Sequence, residues 1–227
     1  MLRAVIFDFN GIIVDDEPIH FELFQRVLKE EEIDLTEADY YGRYLGCDDR
    51  GAFTMAYREH GRALSHSKLA QLIERKAAYY QEDIKSKMKV FPGVQTLVPE
   101  LAKKLPLAIA SGALRNEIDI ILSGIGLLAY FYAIVSADDV TQGKPDPNIF
   151  LKALAQLNAA FDNDHPIRPS ECLVIEDSRE GIRGARRAGM KCLAVTNSHP
   201  AELLDEADSI VDSLEGISQP QLEAICS

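Results

Sequence analysis

Six short apolar runs, spread along the chain and free of polar alternation, constrain the fold more than any other feature. Strands of a parallel sheet have this composition because helices cover both faces of the sheet. Between the runs, apolar residues recur with a period of about 3.6, which is typical of amphipathic helices. We therefore predict an α/β fold with a Rossmann-like, three-layer core built on a parallel sheet. The runs are residues 5–7, 107–110, 133–135, 173–175, 193–195 and 210–211.

A long segment without a strand-like run separates the first apolar run from the second. It has about ninety residues, whereas a crossover between parallel strands needs only about a dozen. Apolar positions at helical spacing recur within it, for example Ile19, Leu23 and Phe24. We predict an inserted α-helical cap domain, residues 16–87, and a catalytic core formed by residues 1–15 and 88–227.

The charge of the chain limits its partners. A formal net charge of -12 at pH 7 would repel a phosphate backbone, so we expect no nucleic-acid partner. The arginines within residues 179–187 have helical spacing and are typical of a solvated helix face. Residues 120–137 carry no charge, but glycines divide this stretch into a helix end, a turn and a short strand. We therefore expect no membrane partner.

The cysteines and the N-terminus bear on the location of the protein. The four cysteines show no close pairing, which favours reduced thiols over a disulfide framework. The apolar N-terminal run meets Asp8 too early for a secretory signal. We expect a cytoplasmic protein, and the sequence leaves both a monomer and a homodimer open.

Polar residues follow the predicted strands at the points where the strands end. Asp8 follows the first strand and Ser111 the second, while Glu176 and Asp177 follow the fourth. Lys144 lies in the loop beyond the third strand. Because ligands of open parallel sheets bind at the carboxyl ends of the strands, we expect these side chains to converge on one edge.

The converging residues suggest a metal-assisted reaction. Three carboxylates would repel one another unless a cation neutralised them, and carboxylate oxygens suit a hard ion such as Mg²⁺. With that ion and Lys144 offsetting the charge of a bound phosphate, one carboxylate can attack phosphorus in line. The hydroxyl of Ser111 and nearby backbone N–H groups can hold the remaining phosphate oxygens. The predicted chemistry is phosphoryl transfer through an aspartyl-phosphate.

Four segments resemble, in order and spacing, the four motifs of the haloacid dehalogenase superfamily. They are DFNGIIVDDEP at 8–18, IASG at 109–112, GKPDPNIF at 143–150 and VIEDSREGIRGARRAGM at 174–190. The helical insert and the EDS form of the fourth motif are similar to the subgroup that contains phosphoglycolate phosphatases and beta-phosphoglucomutase. The resemblance covers nearly the whole chain.

The resemblance implies a role for each matching residue. It makes Asp8 the nucleophile, Ser111 the phosphate holder and Lys144 the charge stabiliser. Gly112 and Ala113, beside Ser111, become candidates for substrate binding. The implied Mg²⁺ ligands are Asp8, Asn10, Glu176 and Asp177.

Asn10 departs from the family pattern. Members of the family have an aspartate at this position, which ligates the metal through its backbone carbonyl and acts as the acid/base that protonates the leaving group. Asn10 keeps the carbonyl, but its amide cannot transfer a proton at neutral pH. Three explanations stay open: an engineered substitution that traps an intermediate, a natural one with a leaving group that needs no proton, or a substitute neighbour. Among the neighbours, His20 has the most suitable ordinary pKa.

The inserted segment contains three further candidates for substrate binding, namely His20, Gly46 and Arg50. An arginine there would suit a second anionic group on the substrate. The alternative interpretation of Arg50 is a solvated helix charge, which is common on protein surfaces.

The leading hypothesis is therefore a Mg²⁺-dependent phosphatase that hydrolyses a small phosphorylated metabolite, such as a sugar phosphate. The alternatives are a phosphosugar mutase like beta-phosphoglucomutase and a catalytically weak protein that binds a phosphorylated ligand. Asn10 counts against the mutase and keeps the weak binder open. Dehalogenation is disfavoured, because attack on a carbon–halogen bond needs neither the acidic pair nor Lys144. Phosphonate cleavage needs a cap lysine that forms a Schiff base, and the sequence singles out no such lysine.

Overall fold

A computed structural model of the chain describes residues 1–44, 47, 49–87, 89–160 and 165–226, without the side chains of residues 81 and 83–87. The chain forms two compact units. The first, called here the core unit, contains Met1–Asp15 and Lys89–Ser227. The second, called here the helical unit, is Asp16–Met88.

The core unit is built on a six-stranded sheet in which all neighbouring strands are parallel. Along the chain the strands are β1 (Ala4–Phe7), β2 (Val14–Asp15), β3 (Lys89–Val90), β4 (Leu107–Ala110), β5 (Phe131–Val135), β6 (Cys172–Glu176), β7 (Lys191–Val195) and β8 (Ser209–Val211). The order across the sheet is β5-β4-β1-β6-β7-β8. The two remaining strands, β2 and β3, form a small antiparallel pair of their own.

The helices alternate with the strands of the core unit and make up most of the helical unit. Along the chain they are α1 (Glu17–Glu30), α2 (Glu37–Asp39), α3 (Asp49–Glu59), α4 (His66–Lys87), α5 (Val94–Ala102), α6 (Arg115–Gly124), α7 (Asn148–Ala160), α8 (Arg179–Arg187) and α9 (Gln219–Ile225). A π-helical turn, Tyr40–Tyr44, follows α2. Among the described residues, none of the helices has the length and apolar character needed to cross a membrane.

The sheet is covered on both faces. Every residue of β1 and β4 is completely buried. On one face, Ile6, Ala108 and Val174 share a core with Phe150 of α7 and Ile182 of α8. This burial explains why the strands appear in the sequence as unbroken apolar runs. The predicted α/β fold with a parallel sheet is confirmed, and each of the six predicted runs lies within one strand of the sheet.

The helical unit has its own apolar core. Helices α1 and α3 both pack against α4. Phe24 of α1 meets Phe53 of α3 edge to face, with ring centroids 5.1 Å apart, and Leu72 of α4 is buried in the same cluster.

The small antiparallel pair β2–β3 was not predicted. Each of its strands has two residues, which is too short for a periodic pattern to reveal.

Candidate active site

Three neighbouring strands bring the predicted residues to one edge of the sheet. β1 lies between β4 and β6, so the residues at their carboxyl ends are neighbours. Asp8 directly follows β1, Ser111 directly follows β4, and Glu176 ends β6 with Asp177 immediately after it. All four of these residues are buried.

Lys144, in the loop before α7, connects two of the carboxylates. Its Nζ lies 2.5 Å from Oδ1 of Asp8 and 2.5 Å from Oε1 of Glu176. Nζ also lies 5.2 Å from the centre of the Phe150 ring, at a distance where a cation is attracted to the ring face. Residues that are far apart in the sequence therefore share one buried ion-pair network.

Glu176 is held from several directions. Its Oε2 accepts hydrogen bonds from the backbone N–H groups of Asp177 and Ser178, both at 2.9 Å, and from the Ser178 hydroxyl at 2.8 Å. A Cβ atom on Gly181 would lie 1.8 Å from Oε1 of Glu176. Only glycine leaves room there for the carboxylate, so the start of α8 is built around Glu176.

The carboxylates form a cluster with excess negative charge. Asp8, Glu176 and Asp177 each offer an oxygen, and these oxygens lie within 4.8 Å of one another. Burial raises the pKa of Asp8 to about 6, although Lys144 opposes the rise. Burial, together with Glu176 and Asp8, also raises the pKa of Asp177 well above its usual value. One ammonium does not balance three buried carboxylates, and their hard oxygen atoms fit a Mg²⁺ ion.

Lys144 remains a cation in this cluster. Burial opposes its charge, but the two carboxylates beside it outweigh burial and hold its pKa above the ordinary value. The ammonium is therefore available to bind a phosphate oxygen.

Ser111 lies in a tight turn with the two residues that follow it. Its hydroxyl accepts a hydrogen bond of 3.1 Å from the backbone N–H of Ala113. A Cβ atom on Gly112 would meet nothing within 4 Å, so the turn is open on that side. Gly112 and Ala113 therefore form one turn with Ser111, and their contact with the substrate stays a prediction.

Asn10 lies on the turn that follows β1. Its backbone forms an isolated bridge with Val14, and the N–H of Gly11 donates to the carbonyl of Val14 at 2.9 Å. Gly11 has a φ of +80°, and a Cβ atom there would lie 1.8 Å from Oδ2 of Asp177. The Asn10–Gly11 backbone is therefore packed directly against a carboxylate of the cluster.

Two residues beyond β7 also contact this part of the site, and the sequence analysis did not single them out. The Ser198 hydroxyl donates to Oδ2 of Asp177, and Nδ2 of Asn197 donates to the carbonyl of Gly11 at 2.7 Å. Asp8 and Ser111 were located by the rule that polar residues at the carboxyl end of a strand face the ligand edge of the sheet. Applied to β7, the same rule would have found Asn197 and Ser198.

The predicted residues of the helical unit have different surroundings. His20 lies on α1, where its Nε2 is 3.1 Å from Oδ2 of Asp16 and its Nδ1 is 2.9 Å from Nζ of Lys76. Arg50 is exposed on α3 and lines a shallow surface cavity with Arg58. Gly46 lies outside the described residues.

Lys76 is a buried lysine that the sequence analysis did not single out. Only 3% of its surface is exposed, and its Nζ donates to Oδ1 of Asp49 at 2.6 Å. Lys76 lies four residues after Leu72 on the apolar face of α4. A lysine at such a position in the sequence is the signal that could have indicated its burial. The lysine forms an ion pair, whereas a Schiff base requires a neutral amine.

Comparison with known proteins gives a family match over most of the chain. Residues 5–195 match the family described as haloacid dehalogenase-like hydrolase. A phosphorylated carbohydrates phosphatase of Thermotoga maritima is 32% identical over 193 residues, which are 84% of this chain and 83% of that protein. The beta-phosphoglucomutase of Bacillus subtilis is 30% identical over 206 residues, which are 88% of this chain and 85% of that protein.

A solved structure supports the fold independently. The crystal structure of beta-phosphoglucomutase from Clostridium difficile superimposes with a TM-score of 0.79 and covers 100% of this chain and 97% of that one. The sequence identity in this comparison is 23%. At this level of identity the match concerns the fold alone.

Proposed function

Because the chain belongs to the haloacid dehalogenase-like hydrolases, we propose that it catalyses Mg²⁺-dependent phosphoryl transfer through an aspartyl-phosphate on Asp8. The family match confirms the predicted resemblance, and the prediction of an enzyme of the phosphatase class is confirmed by the relatives. The proposed substrate is a small phosphate monoester such as a sugar phosphate. The name of the Thermotoga maritima relative supports this substrate class.

A single observation carries the proposal. Lys144 bridges Asp8 and Glu176 inside a buried group of three carboxylates. Buried carboxylates this close together are costly unless a cation joins them. The carboxylates therefore support a metal site, and the Lys144 ammonium supports a site for a phosphate anion beside it.

The residues proposed to hold Mg²⁺ are the Asp8, Glu176 and Asp177 carboxylates and the Asn10 backbone carbonyl. When bound, the ion would offset the charge of these carboxylates and draw electron density from the phosphoryl group. The family resemblance implies that Asp8 is both a ligand and the nucleophile, and its contact with Lys144 inside the carboxylate cluster supports this double role.

In the first proposed step, a carboxylate oxygen of Asp8 attacks the phosphorus atom. The bond between phosphorus and the leaving alcohol oxygen breaks, and that oxygen takes up a proton from solvent water. Lys144 and the Ser111 turn bind the phosphoryl oxygens as their charge redistributes. In the second step, water attacks phosphorus, inorganic phosphate leaves and the Asp8 carboxylate is restored.

The anchoring of Lys144 by Glu176 matters between these two steps. When Asp8 becomes an acyl phosphate, its carboxylate loses its own charge, and the negative charge beside the ammonium then lies on the phosphoryl oxygens. The 2.5 Å contact between Nζ and Glu176 does not involve Asp8, so Lys144 has a second anchor while it binds the transferred group.

Asn10 is expected to limit the rate of this cycle. Its amide cannot supply or remove the proton that the leaving group and the attacking water exchange. Replacing Asn10 by aspartate should raise the rate of phosphate release by about 10²- to 10⁴-fold, which is the usual contribution of general acid/base catalysis.

The proposal is tested by intact-protein mass after incubation with Mg²⁺ and acetyl phosphate or an aryl phosphate. Three chains are compared: the present chain, Asp8→Ala and Asn10→Asp. We expect one added phosphoryl group on the present chain, none on Asp8→Ala, and rapid phosphate release by Asn10→Asp. The absence of both an adduct and phosphate release from the present chain and from Asn10→Asp would exclude the enzyme and leave a phosphate-binding protein.

The second candidate function is a phosphosugar mutase. The similarity to the beta-phosphoglucomutase of Bacillus subtilis over 88% of this chain favours it. The products of Asn10→Asp acting on a sugar phosphate distinguish the two functions. A phosphatase releases inorganic phosphate, whereas a mutase converts the substrate to an isomeric sugar phosphate.

A further inference from the structure

We propose that Asn197 and Ser198 are positioning residues that hold two of the metal-ligating segments in register. Both lie just beyond β7, and neither belongs to the four segments that resemble the family motifs. One of them contacts the Asp177 carboxylate and the other contacts the backbone beside Asn10. This inference rests on the Mg²⁺ site of the proposed function.

Ser198 fixes the orientation of Asp177. Its hydroxyl donates a hydrogen bond to Oδ2 of the buried Asp177 carboxylate. The backbone of Gly11 approaches the same oxygen so closely that a Cβ atom would lie 1.8 Å from it. Because Oδ2 is confined between a hydroxyl and a backbone, the rotation of the carboxylate is restricted, and with it the direction of Oδ1.

Asn197 fixes the backbone that follows Asp8. Its side-chain amide donates to the Gly11 carbonyl at 2.7 Å. The N–H of Gly11 is already bonded to Val14, so both polar groups of this residue are engaged. The peptide between Asn10 and Gly11 carries the Asn10 carbonyl, which is one of the proposed ligands. Holding Gly11 from both sides therefore limits how that carbonyl can turn.

The position of β7 in the sheet makes this arrangement possible. β6 lies between β1 and β7, so a residue beyond β7 must reach across the end of β6 to contact the turn after β1. Asp177 lies at that end. The loop that reaches across is itself anchored at its base, because Thr196 donates its N–H to Val211 at 3.0 Å and its hydroxyl to Asp212 at 3.2 Å.

A supporting group of this kind has a measurable effect on metal binding. Removing a residue that orients a metal ligand typically costs about 10- to 100-fold in metal affinity. A hydrogen bond that only stabilises the fold would change the unfolding temperature and leave the affinity of the folded protein for Mg²⁺ unaltered.

The test is calorimetric titration of Mg²⁺ alone into the metal-free, full-length protein. Ser198→Ala should weaken Mg²⁺ binding by about 10-fold or more, whereas Ser198→Thr, which keeps a hydroxyl, should stay within about threefold of the unmodified chain. Asn197→Ala removes the amide that donates to the Gly11 carbonyl without adding charge, so it should weaken binding by about 10-fold as well. Thermal unfolding without Mg²⁺ shows that each variant is folded.

The matched control is Ser213→Ala. The Ser213 hydroxyl, also in the core unit, accepts a local hydrogen bond of 3.1 Å from the N–H of Glu215, and its loss should leave Mg²⁺ affinity unchanged. Ser198→Ala and Asn197→Ala variants that bind Mg²⁺ as tightly as the unmodified chain would overturn the inference and leave the metal site intact. Failure of the unmodified chain to bind Mg²⁺ would overturn the proposed metal site, and the inference with it.

Discussion

Each unit of the molecule holds a lysine between two hydrogen-bond acceptors, but the two surroundings differ in how their carboxylates are arranged. In the core unit, Lys144 joins Asp8 to Glu176. In the helical unit, Lys76 joins Asp49 to the His20 ring. The two lysines alone would suggest equivalent sites.

The carboxylates separate the two cases. Around Lys144, three carboxylates offer oxygens within 4.8 Å of one another. In the helical unit, the lysine and the His20 ring stand between Asp49 and Asp16, and Asp16 also accepts from the Tyr80 hydroxyl at 3.2 Å. Each carboxylate there has a donor of its own. A lysine held between acceptors therefore does not identify a catalytic site by itself, whereas converging carboxylates offer the oxygen ligands of a cation site.

The largest expected effect is that of Lys144→Ala on catalysis. Loss of the ammonium that is proposed to bind the phosphoryl oxygens should lower kcat/KM for an aryl phosphate by about 10³-fold or more. The control is Lys191→Ala, since Lys191 forms an exposed pair with Asp208 at the surface of the same unit and should have no effect on the rate. A loss of less than tenfold in Lys144→Ala would remove the distinction between Lys144 and Lys76.

Asp8→Asn should stabilise the metal-free protein in a manner that depends on pH. The pKa of Asp8 is about 6 in the folded chain, against an ordinary value of 3.8. The folded state therefore binds the proton more tightly, and ionisation of Asp8 destabilises it progressively as the pH rises from 3.8 to about 6. Asparagine does not ionise, so the variant should be about 3 kcal/mol more stable at pH 7.5.

Denaturant unfolding in the presence of a chelator, at several pH values between 4 and 7.5, measures this difference. The advantage of Asp8→Asn should shrink towards pH 4, where both chains are uncharged at this position. An advantage of equal size at both ends of the range would show that ionisation of the cluster is not its cause.

Lys76→Met should affect stability and leave the response to Mg²⁺ intact. Removing the ammonium leaves Asp49 and His20 without their shared partner, and the free energy of unfolding should fall by about 2 kcal/mol. The expected loss is moderate because one third of the Asp49 side chain is exposed and can be hydrated. Denaturant unfolding with and without Mg²⁺ is the measurement.

Lys68→Met is the matched control, because Lys68 pairs with Glu31 on the surface of the same unit. Its loss should cost less than about 1 kcal/mol. If Lys76→Met abolished the stabilisation by Mg²⁺, the helical unit would contribute to the metal site, and the contrast between the two lysines would fail.

The smallest expected effect is that of Tyr80→Phe. The variant removes the hydroxyl that donates to Asp16 and should reduce the free energy of unfolding by about 1 kcal/mol. Tyr79→Phe, which removes an exposed hydrogen bond to Glu30, should cost only a few tenths of a kcal/mol. Equal losses in the two variants would mean that the Asp16 contact contributes no more than a surface hydrogen bond.

Much of the fold was predictable because a parallel sheet imposes a simple pattern. Strands buried on both faces must be apolar throughout, and their carboxyl ends must lie side by side. These two rules suffice to locate the strands and to expect Asp8, Lys144 and Glu176 near one another. The roles of these residues in catalysis remain predictions.

Other features depend on contacts that leave no periodic signal. Gly11 and Asn197 are 186 residues apart and meet through a single amide, which only the folded sheet order reveals. Lys76 has a polar side chain on an apolar helix face, and a pattern of apolar residues does not show that Asp49 and His20 lie opposite it. Short pairs such as β2 and β3 fall below the length at which alternation can be recognised.

The close approach of backbone to carboxylate at Gly11 and Gly181 has a consequence for the tolerance of the chain to random substitution. A side chain at either position would displace Asp177 or Glu176, although neither glycine carries a functional group. Gly112 follows Ser111, the proposed phosphate holder, yet a Cβ atom on Gly112 would meet nothing within 4 Å. In a library of variants selected for folded, Mg²⁺-binding protein, Gly11 and Gly181 should be retained, while position 112 should accept small residues. Proximity to the proposed substrate site would then be a poor guide to which glycines are essential.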